Sequence, residues 1–288
     1  MGFFQAIVYG IVQGIAEWLP ISSTAHLRVV PALLGWPDPG AAFTAVIQLG
    51  TLLAVLIYFR NDLGKALMAW VRSIGDPAQR RTVEGKMGWA IFFGTLPIVI
   101  CGLLFQHDIK GSLRSLNVVA VMLIVVGIVM LIAERFGKQR RGIEDVTVKD
   151  GIIVGLWQAV ALIPGASRSG STISGSLFSG FDRGTAARFS FLLSVPSIFA
   201  AGLKELWEIR HDIAGPMLGP IVVATIVSFI VGYASIAWLI GYLQRRSTGI
   251  FVAYRIALGI LLLALISAGK LDPNAGIAPE VPSVSTTR

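Results

Sequence analysis

The chain holds a single cysteine, Cys101, only three histidines, and little charge: 14% of its 288 residues are Asp, Glu, Lys or Arg. One cysteine excludes a disulfide within the chain and makes a cysteine-based metal site untenable. A soluble globule carries roughly 25% charged residues. Here 55% of residues are hydrophobic and the mean hydropathy is +0.75, so the composition is that of an integral membrane protein. Acids are scarcer than bases, 16 against 24, for a net charge of +8. The bases are dispersed between apolar runs, with no basic cluster interleaved with aromatics, which excludes a nucleic-acid partner. No Lys or Arg precedes Arg28, so the first apolar run lacks the positive start of a cleavable signal. A P-loop, GxxxxGK[ST], is also missing, which argues against nucleotide.

Charge-free runs lie at 41–59, 88–105, 115–133 and 213–244, with shorter ones at 189–203 and 256–269. About 20 apolar residues cross about 30 Å of hydrocarbon, so these predict six transmembrane helices. Runs 1–16 and 151–163 are shorter, and each is followed by a proline and a second short segment. They predict two re-entrant helix-turn-helix hairpins, at 1–35 and 150–180; broken backbone at membrane depth is tolerated only inside protein or beside a wet cavity.

Loops 60–87 and 134–150 and the turn Arg245–Arg246 hold most of the bases, while 106–114 and 204–212 hold few. Placing the rich loops in the cytoplasm puts both termini outside and the first hairpin entering from outside. Each half is then a hairpin plus three spans, 1–135 and 148–270. Because three is odd, the second repeat is inverted relative to the first within a single membrane domain. Gly10-Ile-Val-Gln13 resembles Gly155-Leu-Trp-Gln158, and Pro20/Ser23 correspond to Pro164/Ser167. The fold class expected is therefore an all-α integral membrane protein with an inverted-topology repeat.

Outside this frame, Leu63, Leu67, Trp70, Val71 and Ile74 form one helical stripe that suits an interfacial helix or one packed on the bundle. The pairs Gly10/Gly14 and Gly151/Gly155 are small-residue spacings for close helix packing. His107 and His211, beside Asp108 and Asp212, read as surface residues, and 271–288 as a disordered tail.

The chemistry sits at the two breaks. Gln13 and Glu17 are four apart and share a helix face. A carboxylate at the bilayer centre costs roughly 2.5–3.5 kcal/mol, so Glu17 needs a partner or a function. After Pro20 come Ser22, Ser23 and Thr24, natural caps for a new helix whose free N–H groups favour an anion, and then His26. The second break carries Gly165, Ser167, Arg168, Ser169, Ser171 and Thr172. Glycines allow close approach, hydroxyls donate, and a guanidinium grips phosphate oxygens in two-pronged fashion, so this reads as a phosphate cradle. Arg168 could also serve as the counter-ion of Glu17, but the surrounding glycines and hydroxyls favour the cradle.

These motifs resemble the undecaprenyl-diphosphate phosphatase (bacitracin-resistance) family. Its (E/Q)xxxE pattern is matched by Gln13 and Glu17, followed by PISSTAH at 20–26, and its PGxSRSxxT pattern by Pro164 through Thr172. ARFSFLLSVPSI at 187–198 and the spacing of spans also look like the family, so the resemblance covers nearly the whole chain. Gln13 departs from the Glu that many relatives carry, which weakens any metal role there. The resemblance implies hydrolysis of undecaprenyl diphosphate to the monophosphate carrier of peptidoglycan synthesis, in the bacterial cytoplasmic membrane, with the site open to the external side. Catalytic residues would be Glu17, Ser23, His26 and Arg168. Gln13, Ser22, Thr24, Gly165, Ser167, Ser169 and Thr172 would bind substrate. Glu17, with Gln13, would hold Mg²⁺ or Ca²⁺.

Ser23 is favoured as nucleophile with His26 taking its proton; attack by His26, or by water activated by Glu17, stays open. The partners implied are the diphosphate and the lipid bilayer, with a homodimer left open. The rival reading is an inverted-repeat carrier or flippase for polyprenyl phosphate or a small anion. The SRxxxxxHxxxD element of acid-phosphatase-like lipid phosphatases is absent, because Ser174 stands where its His would fall.

Overall fold

The structure, a computed structural model, describes residues 1–106, 112–208 and 217–274. His107, Asp108, His211, Asp212 and the tail from 275 lie outside the described residues. The described chain forms eleven α-helices and three short 3₁₀ turns. They are α1 Phe3–Trp18, α2 Ser23–Leu34, α3 Gly40–Tyr58, α4 Arg60–Gly75, α5 Val83–Leu104, α6 Leu116–Phe136, α7 Val148–Val160, α8 Arg168–Phe178, α9 Arg183–Glu208, α10 Leu218–Leu243 and α11 Gly249–Ser267. Helices α5, α6, α9, α10 and α11 are long and apolar enough to cross a membrane, and α3 brings the count to six when taken with α4 across an 80° bend.

Both predicted hairpins return to the face they start from. At the first, the Phe4 and Trp36 rings meet edge-on at 6.2 Å, and the Tyr9 hydroxyl donates to Pro37 O at 3.4 Å, which ties the start of α1 to the end of α2. At the second, Arg141 Nη1 donates both to Asp150 Oδ1 in the first turn of α7 and to Ser179 O beyond α8, each at 2.8 Å. Helix α6 connects the two faces. Arg114, just before it, pairs with Asp38 after the first hairpin, and Glu134 near its end pairs with Arg183 after the second. The hairpins therefore enter from opposite faces.

The basic loops share the face of the second hairpin: Arg188 pairs with Asp62 at 2.7 Å, and Thr248 Oγ1 donates to Glu134 at 2.9 Å. The charge pattern along the sequence thus matches one face of the bundle.

Between membrane helices lipid is as apolar as leucine, so association depends on close packing. The two halves do this reciprocally. Gly10 and Gly14 of α1 lie on α10, where a Cβ at Gly10 would come within 2.6 Å of Ala224 O and one at Gly14 within 2.7 Å of Val231 Cβ. Gly151 and Gly155 of α7 lie equally close on Ala90 and Gly94 of α5. Each hairpin's first arm thus packs on the second span of the other half, as a two-fold relation requires. Helix α4 splits its predicted stripe: Leu63 and Trp70 pack inward, Trp70 over Gly88, while Leu67, Val71 and Ile74 are exposed.

Candidate active site

Both hairpins break in the same unusual way. Helix α1 ends at Trp18, and Pro20 cannot supply the N–H that would continue it. Helix α7 ends at Val160, four residues before Pro164, in a run of tight turns through Ile163. In each case a serine with positive φ caps the next helix: Ser22 (φ 77°) accepts from Ala25 N at 3.3 Å, and Ser167 (φ 69°) from Gly170 N at 3.1 Å. Such φ values cost a non-glycine residue on the order of 1–3 kcal/mol and concentrate at functional sites. The pairing is therefore Ser22 with Ser167, and Ser23 with Arg168. The sequence correspondence of Ser23 with Ser167 was one residue out, because the segments around the two prolines differ in length.

The breaks touch. Ser169 Oγ donates to Leu19 O at 3.1 Å, and Gly165 N donates to Thr24 Oγ1 at 3.4 Å. Arg255 of α11, fully buried, locks them from behind. Its Nη1 donates to Pro20 O at 3.1 Å, and its Nη2 to Gly165 O and Ala166 O at 2.9 and 3.0 Å, with Met122 O and Leu123 O completing the set. Two helix N-termini, α2 and α8, are thereby brought together, and both favour an anion.

Glu17 stands at the junction, 4% exposed. Its Oε1 accepts from Arg168 Nη2 at 2.7 Å and Gln48 Nε2 at 2.9 Å; its Oε2 accepts from Ser23 Oγ at 2.7 Å and Gln13 Nε2 at 2.9 Å. Four donors on two oxygens fix the plane of the carboxylate. Arg168 lies near the Trp18 ring, 5.6 Å to its centroid, and its buried Nη1 has no hydrogen-bond partner among the described residues. Glu17, Ser23 and Arg168 line one cavity of about 140 Å³ with Ser22, Thr24, Ser167, Gln48 and Ser197. A site with a bound carboxylate, an oriented hydroxyl and a spare guanidinium donor can receive a phosphate, polarise an alcohol and move its proton.

Several expected roles change. His26 does not meet Ser23: Nδ1 lies 2.8 Å from Ser22 O, Nε2 lies 2.6 Å from the Tyr254 hydroxyl, and the two rings stack. The group holding the Ser23 hydroxyl is Glu17. Thr172 does not line the cavity, because its hydroxyl turns back to Arg168 O and meets Ser190. Ser169 and Gly165 serve the contact between the breaks. Gln13 stands behind Glu17, off the cavity wall.

Gln48, Ser197, Tyr254 and Arg255 escaped the sequence reading. Arg255 borders the charge-free run 256–269, so by charge alone it reads as a flank, whereas the structure sets it inside α11. Gln48 is a lone amide within the run 41–59, and that was its only signal.

The donor set does not fit a resident cation. Glu17 is the one carboxylate on the cavity wall, both its oxygens face donors, and no cluster of three His, Cys, Asp or Glu exists among the described residues.

Fold and site together define a multi-pass, all-helical membrane protein whose acid–alcohol–guanidinium centre is built from two opposed broken helices. The chain belongs to the bacitracin resistance protein BacA family, whose model matches residues 6–261. It is 48% identical over 288 residues to an undecaprenyl-diphosphatase of Thermobifida fusca, covering all of this chain and 98% of that one. It is 52% identical over 283 residues to an undecaprenyl-diphosphatase of Chlorobaculum tepidum, covering 95% and 100%.

Proposed function

We propose that this protein removes the terminal phosphate of undecaprenyl diphosphate, releasing orthophosphate and the monophosphate lipid carrier used in cell-wall synthesis. Abundant enzyme would confer bacitracin resistance by the same turnover. The observation that carries this reading is one carboxylate engaged on both sides, by the Ser23 hydroxyl at 2.7 Å and by Arg168 at 2.7 Å.

In this reading the terminal phosphate enters the cavity and takes the spare Arg168 Nη1 and the N–H groups that begin α2 and α8. Glu17 accepts the Ser23 proton as Oγ forms a bond to the terminal phosphorus. The bond from phosphorus to the bridging oxygen breaks, and its electron pair leaves on the prenyl phosphate. Water then displaces Ser23 from phosphorus, and the proton returns to the serine. Arg168 and the helix ends hold the charge that gathers on the phosphoryl oxygens, which is where most of the rate enhancement is expected. Arg255 acts at one remove, holding both breaks in register.

Mg²⁺ or Ca²⁺ would accompany the diphosphate and would offset part of its charge. The reading places the protein in the bacterial cytoplasmic membrane, basic loops inside, both termini outside, and the first hairpin's mouth open to the external side. The prenyl tail stays in lipid between spans.

The test is phosphate release by purified protein in detergent from C55 and shorter prenyl diphosphates. Release with no second compartment supports a hydrolase; transport in vesicles without release supports the carrier instead.

A further inference from the structure

The mouth of the first hairpin holds a second cationic cavity that the proposed reaction does not use. It measures about 160 Å³, adjoins the first through Thr24, which lines both, and is walled by Leu27, Arg28, Asp38, Arg114 and Pro164. Arg28 of α2 is 4% exposed. Its Nη1 donates to Asp38 Oδ2 at 2.8 Å, and Arg114 Nη2 donates to the same oxygen at 2.8 Å. Two guanidiniums therefore share one carboxylate, leaving a net positive charge on the cavity wall. Arg28 Nε and Nη2 are both buried and have no hydrogen-bond partner among the described residues. Buried donors are nearly always satisfied, and leaving two charged ones unpaired is costly.

We infer that this cavity is a second phosphate-group site, a station between the catalytic cavity and the external mouth. Arg28 Nε and Nη2 make the two-pronged edge that binds two oxygens of one phosphate. Arg114 supplies further positive charge, and Thr24 is the threshold between the cavities. Arg28 lines this cavity and is absent from the wall of the catalytic one, so it is not placed on the phosphate under attack. The station suits a phosphate that has left Ser23, or one arriving. Its role as an exit rests on the proposed phosphatase reading; its capacity to bind phosphate does not.

Equilibrium binding of radiolabelled inorganic phosphate to the purified full chain in detergent separates the two cavities without turnover. Arg168→Ala, which removes the clamp of the catalytic cavity, should retain phosphate binding. Arg28→Gln, made in that background, should weaken it by about tenfold or more, the loss of charged hydrogen bonds. Arg28→Lys should recover part of it. Arg114→Gln keeps the test open if Arg28→Gln does not fold. Competition with farnesyl phosphate identifies the source: displacement means that a lipid headgroup also enters, and no displacement means free phosphate alone, either one requiring Arg28. Phosphate binding that is unchanged in folded Arg28→Gln and Arg114→Gln variants, or wholly lost with Arg168→Ala alone, overturns the inference.

Discussion

Replacing Glu17 with Gln separates the base from everything else that the carboxylate does. In the native site Oε1 holds Arg168 and Gln48, and Oε2 holds Ser23 and Gln13. An amide keeps one acceptor oxygen and puts two donors where the other stood. Arg168 and Gln48 have no acceptor to offer on the contact they make, whereas Ser23 can rotate its hydroxyl to accept. The amide nitrogen therefore settles on the Ser23 side, and the serine turns from a proton donor into an acceptor. Loss of a general base costs about 10²–10⁴ in rate, or about 2.7–5.5 kcal/mol on the barrier.

Binding should behave differently. Arg168 loses its charged internal partner, so its guanidinium becomes freer for phosphate, and KM should stay the same or fall while kcat drops. Folding should survive, because three of the four contacts can persist as hydrogen bonds, those of Arg168, Gln48 and Ser23. The assay is steady-state phosphate release from a short prenyl diphosphate near neutral pH, with protein stability followed by thermal melting in the same detergent. A well-folded Glu17→Gln variant with kcat within threefold of wild type would refute the reasoning, and so would a rise in KM with kcat unchanged.

Other outcomes follow from the same geometry. Arg168→Ala should lower kcat/KM more than Glu17→Gln does, because it removes ground-state and transition-state contacts together; the ratio of the two losses in the same assay checks this. Arg255→Ala should destabilise the fold, since three carbonyls at the breaks (Pro20, Gly165 and Ala166) lose their donor and the tie to α6 through Met122 and Leu123 goes with them, and Arg255→Lys should rescue little because an ammonium has three donors and no planar fork; thermal melting reads both. Outside the membrane, burial pushes the Asp150 carboxyl up, but the Arg141 fork and the Thr147 hydroxyl and N–H outweigh it, and the carboxyl lies below its usual value. The stability that this carboxyl contributes should be present at neutral pH and disappear as pH falls below about 4, so wild type and Asp150→Asn should melt apart at pH 7 and converge in acid.

Much of this arrangement was legible in the chain because membrane solvent is severe. Charge-free runs of span length, prolines followed by hydroxyls, and bases gathered in alternate loops each have one economical reading in a bilayer. Glu17 and Arg168 stood out because a charge there is expensive, and the structure brings the two within 2.7 Å of each other. What escaped were contacts between helices distant in sequence. The proximity of Ser23 and His26 suggested a pair, but three residues along a helix do not fix where a ring points. His26 turns to Tyr254, 228 residues away, and Ser23 turns back across the break to Glu17. Arg255 was hidden by span boundaries drawn from charge alone, although a guanidinium satisfied by carbonyls can sit inside a helix. The hydroxyls of the second break looked alike in sequence; backbone geometry separates Ser167 at the cavity from Thr172, folded back on its own helix.

The central claim is that Ser23, activated by Glu17, attacks the terminal phosphorus. The stereochemical course at that phosphorus tests it most directly, using a diphosphate made chiral at the terminal group with oxygen isotopes and sulfur. Two successive displacements through phosphoserine give net retention, which is the expected result. Inversion would mean a single attack by water and would contradict the account.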